Sequence, residues 1–121
     1  MKTNELTGTA LDWAVAKCEG GEGLWYDTVS TYWVKIKGYD LALKPGWAQS
    51  FTPSTDWAQG GPIIEREKIQ IGIGSNSGSW CANQLGSGHA WVTASTPLIA
   101  AMRCYVESKL GDEIEIPSEL L

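Results

Sequence analysis

TPLIAAMRCYVESKLG, residues 96–111, is the stretch whose reading decides the fold. Thr96 fits an N-cap, because its hydroxyl accepts from an open N–H of the first turn. Pro97 follows at the first helical position, where a missing N–H does no harm. Gly111 lies just past the end. Leu98, Ala101, Met102, Tyr105 and Leu110 form an apolar stripe, with Arg103, Glu107 and Lys109 read as solvated. Such a stripe needs a surface to cover. Upstream, Ile69, Ile71 and Ile73 alternate with Gln70, Gly72 and Gly74, the period of a strand. The glycines on its second face admit another backbone or a flat ligand.

Working outward, LTGTALDWAVAKCEG (residues 6–20) predicts a second helix. Thr7 stands as N-cap and Leu6 and Leu11 as a hydrophobic staple. Leu11, Ala14, Val15 and Cys18 make its buried face, Trp13 packs at the edge of that face, and Asp12 complements the helix dipole. Glu22 to Asp27 reads as a loop carrying Trp25 and Tyr26. Thr28 to Lys37 reads as one strand, and Tyr39 to Leu43 as a short partner. Ser79 to Asn83 and His89 to Ala94 are further short strands, and Ile114 and Ile116 suggest an edge strand. The expectation is a single α+β domain over residues 1–121: two main helices packed on one face of an antiparallel sheet of four to five short strands, plus a short helical turn near residues 62–68.

Charge narrows the partners. The chain has a net charge of −5, which argues against nucleic acid or an anionic membrane surface as partner. No apolar run reaches the roughly 20 residues of a membrane span. No basic and apolar leader precedes Leu6, so a cytoplasmic protein is expected. Cys18, Cys81 and Cys104 lack C-x-x-C spacing and read as reduced thiols. Tryptophan is the outlier, with seven against a single Phe. Each buried indole N–H needs a partner, so some of these rings belong at a pocket wall or an interface.

Residues 51–68, FTPSTDWAQGGPIIEREK, carry the most unusual chemistry. Ser54, Thr55 and Asp56 are turn formers that bond nearby backbone. Trp57 follows, then Gly60 and Gly61 as a turn that allows close approach, then Pro62 opening one or two helical turns. One reading is a loop whose Trp57 plugs the core. The other makes Trp47, Ser54, Thr55, Asp56, Trp57, Gly60, Gly61, Arg66 and Trp80 a ligand site. There Trp47, Trp57 or Trp80 stacks a base, Arg66 forks onto phosphate, and Ser54, Thr55 and the glycine amides complete the contacts.

Signals for catalysis are thin. His89 stands alone, so no histidine-built zinc site exists. A Cys81–His89 pair or a Ser54–His89–Asp56 set can be drawn, but no nucleophile-elbow pattern supports either. GIGSNSG (residues 72–78) lacks the third glycine of a dinucleotide fingerprint. The α-β-β-β-α order is shared with double-stranded RNA-binding domains, whose basic helix face is missing here. No catalytic residue, metal or cofactor is expected.

Three blocks, LTGTALDWAVAKCEG (6–20), STDWAQGGPIIERE (54–67) and TPLIAAMRCYVESKLGDEIEIP (96–117), resemble the small NinX-like proteins of lambdoid phages and prophages. The resemblance implies a phage accessory protein acting in the bacterial cytoplasm, and it transfers no catalytic residue. If the matching blocks mark a common site, its positions are Asp56, Trp57, Gly60, Gly61 and Arg66. The function expected is non-enzymatic binding of a small nucleotide-like ligand, as in sequestration of a host defence signal. The protein would be a homo-oligomer with a pocket at a subunit boundary. The alternative is a protein–protein adaptor that inhibits a host enzyme.

Overall fold

A computed structural model of the chain describes residues 1–28, 31–76, 78–84, 86, 88 and 90–121. Its centre is helix α3, Pro97–Leu110, started as expected by Thr96, whose hydroxyl accepts from Ile99 N–H at 3.1 Å. The helix is buried on more than one side: Leu98, Ala100, Ala101, Met102, Cys104, Tyr105 and Val106 are all in the core. Helix α1, Gly8–Cys18, packs on one flank, and a sheet packs on another. Ala100 and Ala101 let these neighbours approach. Arg103 is therefore not solvated as the stripe suggested. Its guanidinium donates to the carbonyls of Leu6 at 2.6 Å and Thr93 at 2.9 Å, tying α1 to the sheet through α3.

The described residues form two three-stranded antiparallel sheets, not one of four to five strands. The first orders β1 (Glu22–Tyr26), β2 (Tyr32–Ile36) and β3 (Tyr39–Ala42). The second orders β4 (Ile69–Ile73), β5 (Trp80–Gln84) and β6 (Val92–Ala94), and lies against α3. Alternation marks each strand but not its partner, and the chain between Leu43 and Lys68 separates the two sets. Where the glycine-flanked sequence suggests a loop, β1 forms a strand interrupted by a bulge: the register slips between Glu22 and Trp25, with Gly23 at φ 68°. At the β2–β3 hairpin both turn residues, Lys37 and Gly38, have positive φ, the twist that a two-residue hairpin favours. Ile114 and Ile116 form no strand. Their segment runs beside the N-terminus instead, where Ile114 N–H donates to the Met1 carbonyl at 2.9 Å.

The third helix, α2 (Trp57–Glu67), is longer than the turn expected at 62–68. Asp56 caps it, accepting from Ala58 N–H at 3.0 Å. Pro62 sits inside the helix rather than opening it. Gly60 is helical because it must be small: a Cβ there would lie 2.5 Å from Leu98 Cδ1 and 2.6 Å from the Pro53 carbonyl. Gly60 thus sets a close crossing of α2 over α3, while Gly61 simply continues the helix.

Asp12, expected only to complement the dipole of α1, is buried instead. It is 4% exposed and accepts from Ser54 N–H at 2.9 Å. Burial pushes its carboxyl up to about 6, against the pull of that hydrogen bond. Through this contact α1 holds the 52–55 loop, and with it the start of α2.

Candidate functional site

The turn after β3 is built around Ser50. Its hydroxyl accepts from Trp47 N–H at 2.9 Å and shares its proton between the Lys44 and Trp47 carbonyls, each 2.7 Å away. Backbone bonds of Ala42 with Gln49 and Phe51, both 2.7 Å, close the base of this turn. The Trp47 ring then meets Trp33 edge-on, with centroids 5.7 Å apart. Trp33 stacks on Trp25 at 6.4 Å across the β1–β2 pair, and its indole N–H donates to Asp27 at 3.1 Å. A relay of rings on the outer face of the first sheet therefore fixes one indole beside the start of α2.

Facing that turn, α2 presents Trp57 as its first residue. Between them lies a hollow of about 420 Å³, lined by Trp47, Ser50, Thr52, Thr55, Asp56, Trp57 and Gln59, among others. This volume falls within the ~300–1,000 Å³ of small-molecule sites. Both indoles are substantially open, Trp47 at 41% and Trp57 at 53%. Trp57 therefore does not plug the core. It stands as a wall, with a second hollow of about 220 Å³ on its other side, against Ser54, Thr96, Pro97 and Leu98 at the start of α3.

The polar floor is fixed by its own hydrogen bonds. Gln59 accepts from Thr52 N–H at 2.9 Å and donates to Asp56 Oδ2 at 3.0 Å. Asp56 Oδ1 holds Ala58 N–H, and the Asp56 carbonyl holds the N–H groups of Gln59 and Gly60. Asp56 is thus the cap of α2 first, with its carboxylate at the rim of the hollow.

Four of the nine residues expected at the site, Trp47, Thr55, Asp56 and Trp57, line this one hollow. Ser54 lines only the smaller one and is 1% exposed. Gly60 is packed against α3, with its N–H given to Asp56, and Gly61 follows it inside the helix. Trp80 lies on β5, opposite Ile73 and Ala94, and lines neither hollow.

Arg66 is at the far end of α2. Nine helical residues separate it from Trp57, roughly 13 Å along the axis. Its guanidinium forks onto both oxygens of Glu19, at 3.1 and 2.7 Å, and also donates to Glu67 at 2.9 Å and the Tyr105 hydroxyl at 3.1 Å. Tyr105 in turn donates to Glu19, and Lys109 pairs with Glu67 at 3.4 Å. Burial alone would push the Glu19 carboxyl up, but the Arg66 and Tyr105 hydrogen bonds hold it below the ordinary range. The Arg66 hydrogen bond does the same for Glu67. Burial pushes the Tyr105 hydroxyl up, and the adjoining Glu19 adds to that. The cluster joins the C-terminal ends of α1 and α2 to α3. Only its spacing from Trp57 on a helix that starts at 57 could have warned that the two do not meet.

Cys18, Cys81 and Cys104 are free, and burial pushes the thiols of Cys18 and Cys104 up to about 12 and about 11. His89 lies outside the described residues, as does any pairing drawn through it. Among the described residues, no three His, Cys, Asp or Glu side chains are grouped to hold a metal. Nor is any helix of the described residues long and apolar enough to cross a membrane. The aromatic row Trp25–Trp33–Trp47 is not evident from the sequence, which places Trp25 in a loop. The Trp25 and Trp33 spacing across a bulged hairpin was the available signal.

A family model described as bacteriophage P22 NinX matches residues 2–109. The chain belongs to this NinX family. The match spans α1, both sheets, α2 and nearly all of α3, so the hollow between Trp47 and Trp57 falls inside the NinX region. No curated protein matches the chain.

Proposed function

We propose that this NinX-family chain is a phage accessory protein that binds a small nucleotide-like ligand without transforming it. The ligand's flat ring would lie between Trp47 and Trp57. The observation that carries the reading is the hollow itself: two open indoles facing a fixed polar floor in a volume suited to one ring system. Base–aromatic stacking contributes about 1–3 kcal/mol per base, and two walls would give a useful affinity without a charged contact. Holding a ligand without turnover suits sequestration of a host signalling molecule in the bacterial cytoplasm. A thermal-shift panel of nucleosides and nucleotides tests this. At least one should raise Tm in the wild type and not in Trp57→Ala. No shift with any of them would overturn the reading.

A second reading, an adaptor that docks on a host protein or on another copy of the chain, is favoured by a different surface. Ile73 is 81% exposed opposite Trp80, and Trp91 is also open. Open apolar patches of this kind mark contact sites. Sedimentation of wild type and Ile73→Asp separates the occupants. A dimer lost in the variant assigns the patch to self-association, and a monomer in both leaves it to a host protein.

A further inference from the structure

We infer that the hollow selects the edge of the base and ignores the phosphates, and that the edge it fits is one with two adjacent N–H donors, as in guanine. This rests on the ligand reading above and goes further in naming what is recognised.

The first argument is what the hollow lacks. No Lys or Arg is among its described lining residues. Arg66, the one cation expected to fork onto phosphate, is held by Glu19, Glu67 and Tyr105 at the other end of α2. The start of a helix can bind phosphate through its open N–H groups. Here three of the four, those of Ala58, Gln59 and Gly60, are taken by Asp56, through its carboxylate or its carbonyl. The chain's net charge of −5 adds a further bias against a polyanion.

The second argument is what the hollow offers. Asp56 contributes a carboxylate at its rim, each of whose oxygens holds one hydrogen bond: Oδ1 from Ala58, Oδ2 from Gln59. A carboxylate has about four acceptor positions. One therefore remains on each oxygen, and two neighbouring carboxylate oxygens can receive a two-pronged donor. The N1–H and N2–H of guanine form such a fork, whereas inosine has only N1–H, and the Watson–Crick edge of adenine has one amino group beside an acceptor nitrogen. Capping holds the carboxylate in place before the ligand arrives, so little ordering is needed on binding. Asp56 is thus the specificity-determining residue, and Trp47 and Trp57 supply stacking that any base can use.

The test is a fluorescence titration of the intact chain with guanosine, GMP, GTP, inosine and adenosine, at low and high salt. Guanosine, GMP and GTP should bind within about threefold of one another, with little salt dependence. Inosine and adenosine should bind about tenfold or more weakly, the size of a lost bidentate contact. Asp56→Asn should also lose about tenfold for guanosine while still folding, because Asn caps a helix as well as Asp does, with a small fall in Tm from the lost Gln59 contact. GTP binding more than tenfold tighter than guanosine, with a steep salt dependence, would overturn the inference and leave the ligand reading standing. So would guanosine binding equally to wild type and Asp56→Asn, or inosine matching guanosine. Failure of all five ligands to bind would overturn both.

Discussion

The two ends of α2 do opposite things with the same kinds of residue. At its start, aromatic rings face outward around a hollow, and the one carboxylate at the rim keeps acceptor positions to spare. At its end, charged side chains face one another, and Arg66 is surrounded by Glu19, Glu67 and Tyr105. A guanidinium spent on closing three helices together is not available to a ligand. Charge at the far end fastens the frame, and the rings at the start of α2 stay open to solvent.

The carboxylates behind the two ends should also titrate in opposite directions. Asp12, which supports the loop leading to the hollow, has its folded pKa raised to about 6 by burial. Its ionisation therefore weakens the fold as pH rises from about 4 to 6, and the full penalty is present above that. At ~1.4 kcal/mol per pH unit the ceiling is about 3 kcal/mol. Asp12→Asn keeps an oxygen for Ser54 N–H, so it should match wild type near pH 4 and exceed it at pH 7.5 in urea unfolding. Glu19 and Glu67 are lowered instead, so their contribution is present above the ordinary carboxylate range and is lost as pH falls through their folded values. In the Asp12→Asn background stability should rise with pH across the acid range. A variant that instead tracks the wild type at every pH would show that Asp12 is not strained by burial.

Gly60→Ala comes next. Its Cβ would meet the Pro53 carbonyl, which is backbone and cannot swing aside. Overpacking of this kind costs about 1–3 kcal/mol, more than the ~0.5–1 that Ala gains over Gly in a helix. Gly61 has nothing within 4 Å of an added Cβ, so Gly61→Ala should be neutral or stabilising. Equal effects of the two in thermal melts would remove the close crossing of α2 over α3 from the account.

These two glycines also mark the limit of what the amino-acid order discloses. Both helix-flanking signals of α3 and the isoleucine alternation of β4 are local, and local rules read them. Gly60-Gly61-Pro62 looks like a stop by the same rules. It is helical because Asp56 caps the segment one turn earlier, and the residue at 60 is glycine because Leu98, distant in sequence, leaves no room for a side chain there. The site was half legible for a similar reason. Trp47, Thr55, Asp56 and Trp57 sit on the turn and loop where exposed rings are expected. Arg66 lies apart from them because its partners, Glu19 at the end of α1 and Tyr105 in α3, come 47 residues before and 39 after it. The division into two sheets depends on which strands pair, and alternation is silent on that.

Smaller effects separate the two ends further. Arg66→Met should cost about 1 kcal/mol, since the side chain is half open to solvent and the pairs it makes are partly screened, and it should leave ligand affinity unchanged. Loss of ligand binding in this variant would join the two ends into one site. Trp33→Phe should cost less still, under about 1 kcal/mol of stability. It removes the hydrogen bond to Asp27 and loosens the ring that backs Trp47. A modest rise in ligand dissociation rate is expected, and an unchanged rate would mean that Ser50 alone sets the Trp47 wall.

The most direct test follows the indole N–H resonances of all seven tryptophans by NMR during a guanosine titration. The account predicts that Trp47 and Trp57 shift in a saturable way, with Trp33 responding weakly and Trp13 and Trp80 unmoved. Saturable shifts confined to Trp80 and Trp91, or no indole shift at all, would contradict it.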